Sequence, residues 1–195
     1  MAKGNLFVVS GPSGSGKTTV CERVRDSLGI GLSVSATTRK PRKDERDGVK
    51  YHFMDEAEFE ARRARGEFLE TNCYNGNWYG TLLSEVRKYT DRGRDLILEI
   101  DVNGGMQVRE KCPEARMIFF RPPSMEDLEA RLRNRATDDE ETIQSRLRKA
   151  EEELPFESAY DMTVVNHTIE QACEDLTRII LGERRGGNDE KRNPV

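Results

Sequence analysis

The sequence predicts an α/β protein in which a parallel sheet is covered by helices on both faces and interrupted by one inserted lobe. Two observations predict it. Short apolar segments alternate with capped helical segments, the pattern of βα units in a parallel sheet. Between residues 33 and 81 that rhythm stops, and the chain becomes polar and rich in Arg, Lys, Asp and Gly.

The 195 residues suffice for one domain with a buried core. Leu6–Ser10 is short, apolar and β-branched, so it reads as a buried strand. A glycine-rich loop follows, then a helix to about Leu28, stopped by Gly29. Within the polar segment VKYHF is strand-like, and Asp55 with Glu58 forms a capping box for a helix that Gly66 ends. A helix fills roughly Leu82 to Arg92. Leu96–Ile100 and Met117–Phe120 are further core strands. Ser124 caps a helix reaching about Arg135, and Thr137 with Glu140 opens another that ends near Pro155. Met162–Val165 is the last strand. Thr168 with Gln171 caps a final helix to about Arg184, and the tail beyond it, 185–195, is expected to be mobile.

The formal net charge of −4 gives no global basic field, which argues against nucleic acid as a partner. No stretch is long and apolar enough to span a membrane, and the N-terminal apolar run leads straight into the glycine loop rather than a secretory pattern. A cytoplasmic protein is expected. Cys21, Cys73, Cys112 and Cys173 are widely spaced and form no Cys-x-x-Cys pair, so reduced thiols are expected rather than a zinc site or a disulfide framework.

Gly11-Pro12-Ser13-Gly14-Ser15-Gly16-Lys17-Thr18 matches G-x-x-x-x-G-K-[ST] between a strand and a helix, the context the motif requires. Glycines let backbone N–H groups turn inward around phosphate oxygens, and the helix start adds its positive dipole end. Lys17 reaches toward β- and γ-phosphates, Thr18 offers a hydroxyl to Mg²⁺, and Thr19 follows in the first turn. A nucleoside triphosphate with Mg²⁺ is the expected ligand. No Asn-Lys-x-Asp motif supports a GTPase, and the chain is short for an ATP-driven motor. A kinase for a small acceptor fits better.

The lobe supplies acceptor candidates. Arg39 and Arg42 flank a proline turn, and guanidinium forks suit a phosphate dianion. Tyr51 and Tyr79 add hydroxyls. Glu70 offers a carboxylate for adjacent N–H donors on a guanine edge, and Thr81 a hydroxyl for its O6. Each alone is weak, since a lone Glu or Tyr is more often a surface or packing residue. Glu99 and Asp101 lie two apart on one face of a strand end. Arg131 and Arg135 lie four apart on one helix face, Arg146 follows on the next helix, and Arg133 and Arg148 read as solvated.

The segments SVSATTRKPR, GVKYHF, FLE, GNWYG and LEIDVNG occur in this order, and with the phosphate loop they closely resemble guanylate kinases from about Asn5 to Arg184. The resemblance implies a phosphate-loop NTPase core with a five-stranded parallel sheet, a mixed α/β lobe for GMP and a helical lid. Its parts would be core 1–32, 82–123 and 156–184, lobe 33–81 and lid 124–155. It implies that Arg39, Arg42, Tyr51 and Tyr79 hold the GMP phosphate, and that Ser35, Glu70 and Thr81 contact guanine. Glu99 and Asp101 would serve the guanosine or the water shell of Mg²⁺. Lys17, Arg131, Arg135 and Arg146 would serve transfer from ATP. The sequence departs from the family pattern at Asn134-Arg135-Ala136, where relatives have Gly-Arg-Gly, and at His167, where Val-Asn-Asp is commoner.

The implied reaction is in-line attack of a GMP phosphate oxygen on the γ-phosphorus of ATP. A phosphate monoester is largely ionised at neutral pH, its second pKa being about 6, so no general base is required of His52 or His167. Two rival readings are a phosphopeptide-binding guanylate-kinase-like module, which usually has a degraded loop, and a sugar-phosphate kinase, which gives Glu70 and Thr81 no base to read. The sequence leaves monomer and homo-oligomer equally open.

Overall fold

The computed structural model describes residues 3–74, 76–134 and 139–189. A five-stranded sheet has the order β2-β7-β1-β8-β9, formed by β1 (Leu6–Ser10), β2 (Gly31–Leu32), β7 (Leu96–Glu99), β8 (Arg116–Arg121) and β9 (Met162–Val165). Pairing is parallel for β1 with β7, β2 with β7 and β8 with β9, as alternating βα units predict. Leu6 to Val9 and Leu96 to Leu98 are buried, which is why these strands read as continuous apolar runs rather than alternating ones.

Contacts divide the chain into two compact units. The first comprises Met1–Ser10 and Ile30–Met117. It contains a second sheet in the order β4-β3-β6-β5, from β3 (Ser35–Thr37), β4 (Tyr51–Phe53), β5 (Phe68–Tyr74) and β6 (Asn77–Leu82). Helix α2 (Glu56–Ala64) packs Phe59 onto one face of that sheet with Ala36, Phe68, Leu82 and Trp78. Its start follows the expected cap: the Asp55 side chain accepts from the Glu58 N–H at 2.7 Å. Helix α3 (Leu83–Thr90) follows β6, and α4 (Val102–Lys111) follows β7.

The second unit comprises Gly11–Gly29 and Ile118–Val195. Helix α1 (Lys17–Leu28) packs with α7 (Ile169–Asp189). Helices α5 (Met125–Asn134) and α6 (Glu140–Glu153) share a cluster of Leu128, Leu132, Ile143 and Ala150, and a 3-10 turn, Leu154–Ala159, follows α6.

The structure corrects several expected bounds. Helix α6 is capped by Asp139, which accepts from the Thr142 N–H at 2.8 Å, and not by Thr137, where the expected capping box begins. Thr137 and Arg135 lie outside the described residues. Helix α7 runs on to Asp189, past the expected stop at Arg184, so 185–189 continue the helix instead of opening a tail. Helix α4 was not expected at all. None of the four cysteines is in a disulfide, and among the described residues no helix is long and apolar enough to cross a membrane.

Candidate active site

In the second unit the glycine loop is shaped by sterics. Gly11 has φ 144°, and a Cβ there would stand 1.9 Å from the Phe120 carbonyl oxygen. Gly16 has φ 90°, and a Cβ would stand 2.3 Å from Asn166 Nδ2. Both positions therefore require glycine for conformation and for space. The Lys17 ammonium folds back into the loop, donating to the Gly11 carbonyl at 2.5 Å, the Pro12 carbonyl at 2.9 Å and Ser15 Oγ at 3.5 Å. Helix α1 begins at Lys17 with no acidic residue in its first turn, so its positive end is not neutralised from within. Pro12 and Ser15 are buried, whereas Ser13, Thr18 and Thr19 are exposed.

Asn166, to which sequence reasoning assigns no role, holds the loop from a distance of 151 residues along the chain. It is fully buried and donates from Nδ2 to the Ser15 carbonyl at 2.7 Å. Its backbone carbonyl accepts from Arg131 Nη2 at 2.7 Å, and the His167 backbone carbonyl lies 3.4 Å from the same nitrogen. Arg131 is thus linked through Asn166 to the loop. Arg146 is half-buried on α6. Arg133 is exposed and paired with Glu129 and Glu140, the solvated role expected of it.

In the first unit, register gathers the acceptor candidates. Ser35 pairs with Tyr51, Thr37 with Tyr79 and Glu70 with Thr81. Cross-strand partners share a face, and so do residues two apart. Ser35, Tyr51, Tyr79, Thr81 and Glu70 therefore lie on one face, and α2 covers the other. A register shift between Phe68 and Glu70 makes this possible. Without that bulge the two residues would share a face; with it, Phe68 joins the α2 core and Glu70 turns to the opposite side.

Glu70 is buried and accepts from the Thr81 hydroxyl at 2.7 Å. Burial chiefly, and the nearby Asp101 charge to a lesser degree, push its carboxyl up to about 7, against the pull of the Thr81 bond. Arg39 lies over the rings of Tyr51 and Phe53, 5.3 and 5.6 Å from their centroids. Its fork grips Glu45 at 2.9 and 2.8 Å, and Glu45 also accepts from the Arg42 N–H at 2.8 Å. That acid, unassigned from sequence, ties both predicted phosphate-binding arginines into one loop. The Arg39 fork holds the Glu45 carboxyl down at about 2. Tyr51 and Tyr79 meet edge to face at 6.0 Å, and burial raises the Tyr51 phenol, keeping it a neutral donor. Glu99 ends β7 half-buried. Asp101 caps α4, accepting from the Gly104 N–H at 2.8 Å with one oxygen and from Asn72 Nδ2 with the other. Among the described residues no cluster of three or more His, Cys, Asp or Glu could hold a metal.

A parallel sheet whose first strand leads through a phosphate loop into a helix, together with a second sheet presenting arginines, tyrosines and a buried carboxylate, defines a phosphate-loop nucleotide kinase. Residues 3–183 match the family described as guanylate kinase. A guanylate kinase of Fusobacterium nucleatum is 54% identical over 180 residues, covering 92% of this chain and 97% of the relative. One from Methylobacillus flagellatus is 48% identical, covering 93% and 91%. The crystal structure of guanylate kinase from Anaplasma phagocytophilum superposes with a TM-score of 0.76 at 33% identity, covering 93% of this chain and 87% of that one. The chain belongs to the guanylate kinase family and is an enzyme of that family.

Proposed function

We propose that the protein transfers the γ-phosphoryl group of ATP to GMP, and to dGMP, by direct in-line displacement in the cytoplasm, returning GMP to the guanine nucleotide supply. The observation that carries the acceptor is the buried Glu70–Thr81 pair. A carboxylate taken out of water needs donors, and the adjacent N1–H and N2–H of guanine supply them as a pair; a sugar phosphate has no base edge with such a pair. Ser35 completes the base contacts. Arg39, Arg42, Tyr51 and Tyr79 hold the GMP phosphate, with Glu99 and Asp101 serving the guanosine.

The backbone of Gly11, Pro12, Ser13, Gly14, Ser15, Gly16, Lys17, Thr18 and Thr19 cradles the ATP phosphates. Lys17 leaves the loop carbonyls for the β- and γ-phosphates, and Arg131, Arg135 and Arg146 neutralise charge on the transferring group. The acceptor oxygen needs no deprotonation at neutral pH. The obstacles are anionic repulsion and alignment, which cations and closure of a lid, residues 124–155, reduce. Thr18 offers the hard oxygen that suits Mg²⁺, which is usually held by one or two protein ligands with substrate phosphates and water. Asp101 would join only through water, because both its oxygens already accept hydrogen bonds. Bound there, Mg²⁺ supplies positive charge beside the phosphates.

The test is ADP release over a panel of GMP, dGMP, AMP, CMP and UMP. Turnover with GMP and dGMP is expected, and activity with AMP but none with GMP would sink the assignment. Lys17→Ala should lose turnover while keeping GMP affinity, whereas Glu70→Ala should lose guanine preference.

A further inference from the structure

Helix α4 is tied to β5 along its length. Asp101, Gly104, Gln107 and Lys111 recur every three or four residues, so they line one helix face. They meet four successive residues of the strand. Asp101 accepts from Asn72 Nδ2, and Lys111 donates to the Leu69 carbonyl at 2.7 Å. Gln107 exchanges two bonds with Thr71, accepting its N–H at 3.2 Å and donating to its carbonyl at 2.8 Å. β5 is the edge of its sheet, and an edge strand leaves a row of unpaired backbone groups. The Gln107 amide occupies that edge as a further strand residue would, by exchanging both bonds with one partner.

Between these ties sits Glu70. A Cβ at position 104 would lie 2.7 Å from Glu70 Oε2 and 3.3 Å from the Ile100 side chain. A free surface glutamate would swing aside. Glu70 is buried and bonded to Thr81, so its carboxylate has nowhere equivalent to go.

We infer that α4 sets the position of the base-reading carboxylate, with Gly104 determining acceptor specificity by leaving room for Glu70 and Gln107 acting as a positioning residue through β5. The inference rests on the reading of Glu70 as the guanine contact. It assigns discrimination to a helix that touches Glu70 rather than to the carboxylate alone.

The test compares GMP with IMP, which has the same 6-oxo ring and phosphate but lacks the 2-amino donors. Gly104→Ala should raise KM for GMP about tenfold and narrow the GMP/IMP ratio, with kcat and KM for ATP within about twofold. Glu70→Asp shortens the side chain and should rescue Gly104→Ala: the double variant should be closer to either single variant than to the product of their effects. Gln107→Ala should raise KM for GMP with kcat kept, and it serves equally if Gly104→Ala does not fold. Independent, multiplying effects, or equal losses in GMP and ATP parameters, overturn the inference. If Glu70→Ala leaves the GMP/IMP ratio intact, the reading of Glu70 itself has failed. If Glu70→Ala abolishes the ratio while Gly104→Ala and Gln107→Ala preserve it, only the role of α4 has failed.

Discussion

Glu70 is a carboxyl whose ordinary value of 4.5 is pushed up to about 7 by burial. Because the folded value lies above the unfolded one, Glu70 favours the fold while protonated, and that contribution is lost as pH rises through about 7. In the proposed role of Glu70 acceptor binding runs the other way, since only the ionised carboxylate would accept both guanine donors. KM for GMP should therefore fall as pH rises from about 6 to 8, and the trend should flatten in Glu70→Gln; an identical slope in the variant would assign it to the GMP phosphate, which also ionises near pH 6. Glu45 makes a second prediction. Its three hydrogen bonds fix Arg39 and the Arg42 backbone, so Glu45→Gln should raise KM for GMP about tenfold with KM for ATP unchanged. A lower KM would mean that Glu45 instead competes with the acceptor phosphate. As a candidate, Glu70 is legible in the sequence because it ends FLE, which GNWYG follows in a recognisable order. Glu45 is not, because an acid inside KPRKDERD looks like any other charge of a solvated loop.

Elements were legible where caps and apolar periods agreed. Asp55, Ser124 and Thr168 each cap the helix they announced. Helix α4 escaped notice because VNGGMQ holds two glycines, each costing a helix about 1 kcal/mol relative to alanine, and shows little apolar periodicity. Its cap, Asp101, was visible only as a functional acid. Strand β2, two residues long, is too short for any pattern to register. The link between loop, β9 and α5 was likewise hidden, since Asn166 is 151 residues from the Ser15 carbonyl it binds. Asn166→Ala leaves that buried Ser15 carbonyl without its donor, while the backbone carbonyl that accepts from Arg131 is kept. KM for ATP should rise about tenfold while KM for GMP stays within about twofold; steady-state kinetics with each substrate varied separately checks this.

For the whole molecule, alternation of strand and helix announced a parallel sheet, yet the order that puts β1 at its centre follows from packing among elements far apart in sequence. The division into two units, one holding Glu70 and Thr81 and one the phosphate loop, was also not written in any local pattern. An intact loop distinguishes an enzyme from a binding module of similar fold. Saturating ATP–Mg²⁺ at about 100 times Kd should add about 2.7 kcal/mol of stability, raising Tm by roughly 5–10 °C. A module that had lost nucleotide binding would show no shift. The bond from Asn166 to Ser15 also has a consequence for biosynthesis. The glycine loop is translated before its clamp, which is made 151 residues later. At about 5–20 residues per second the nascent loop waits roughly 8–30 s for that partner. During elongation the glycine-loop motif is present as sequence before it is a finished receptor, and nucleotide capture should emerge late, with translation of β9 and Asn166.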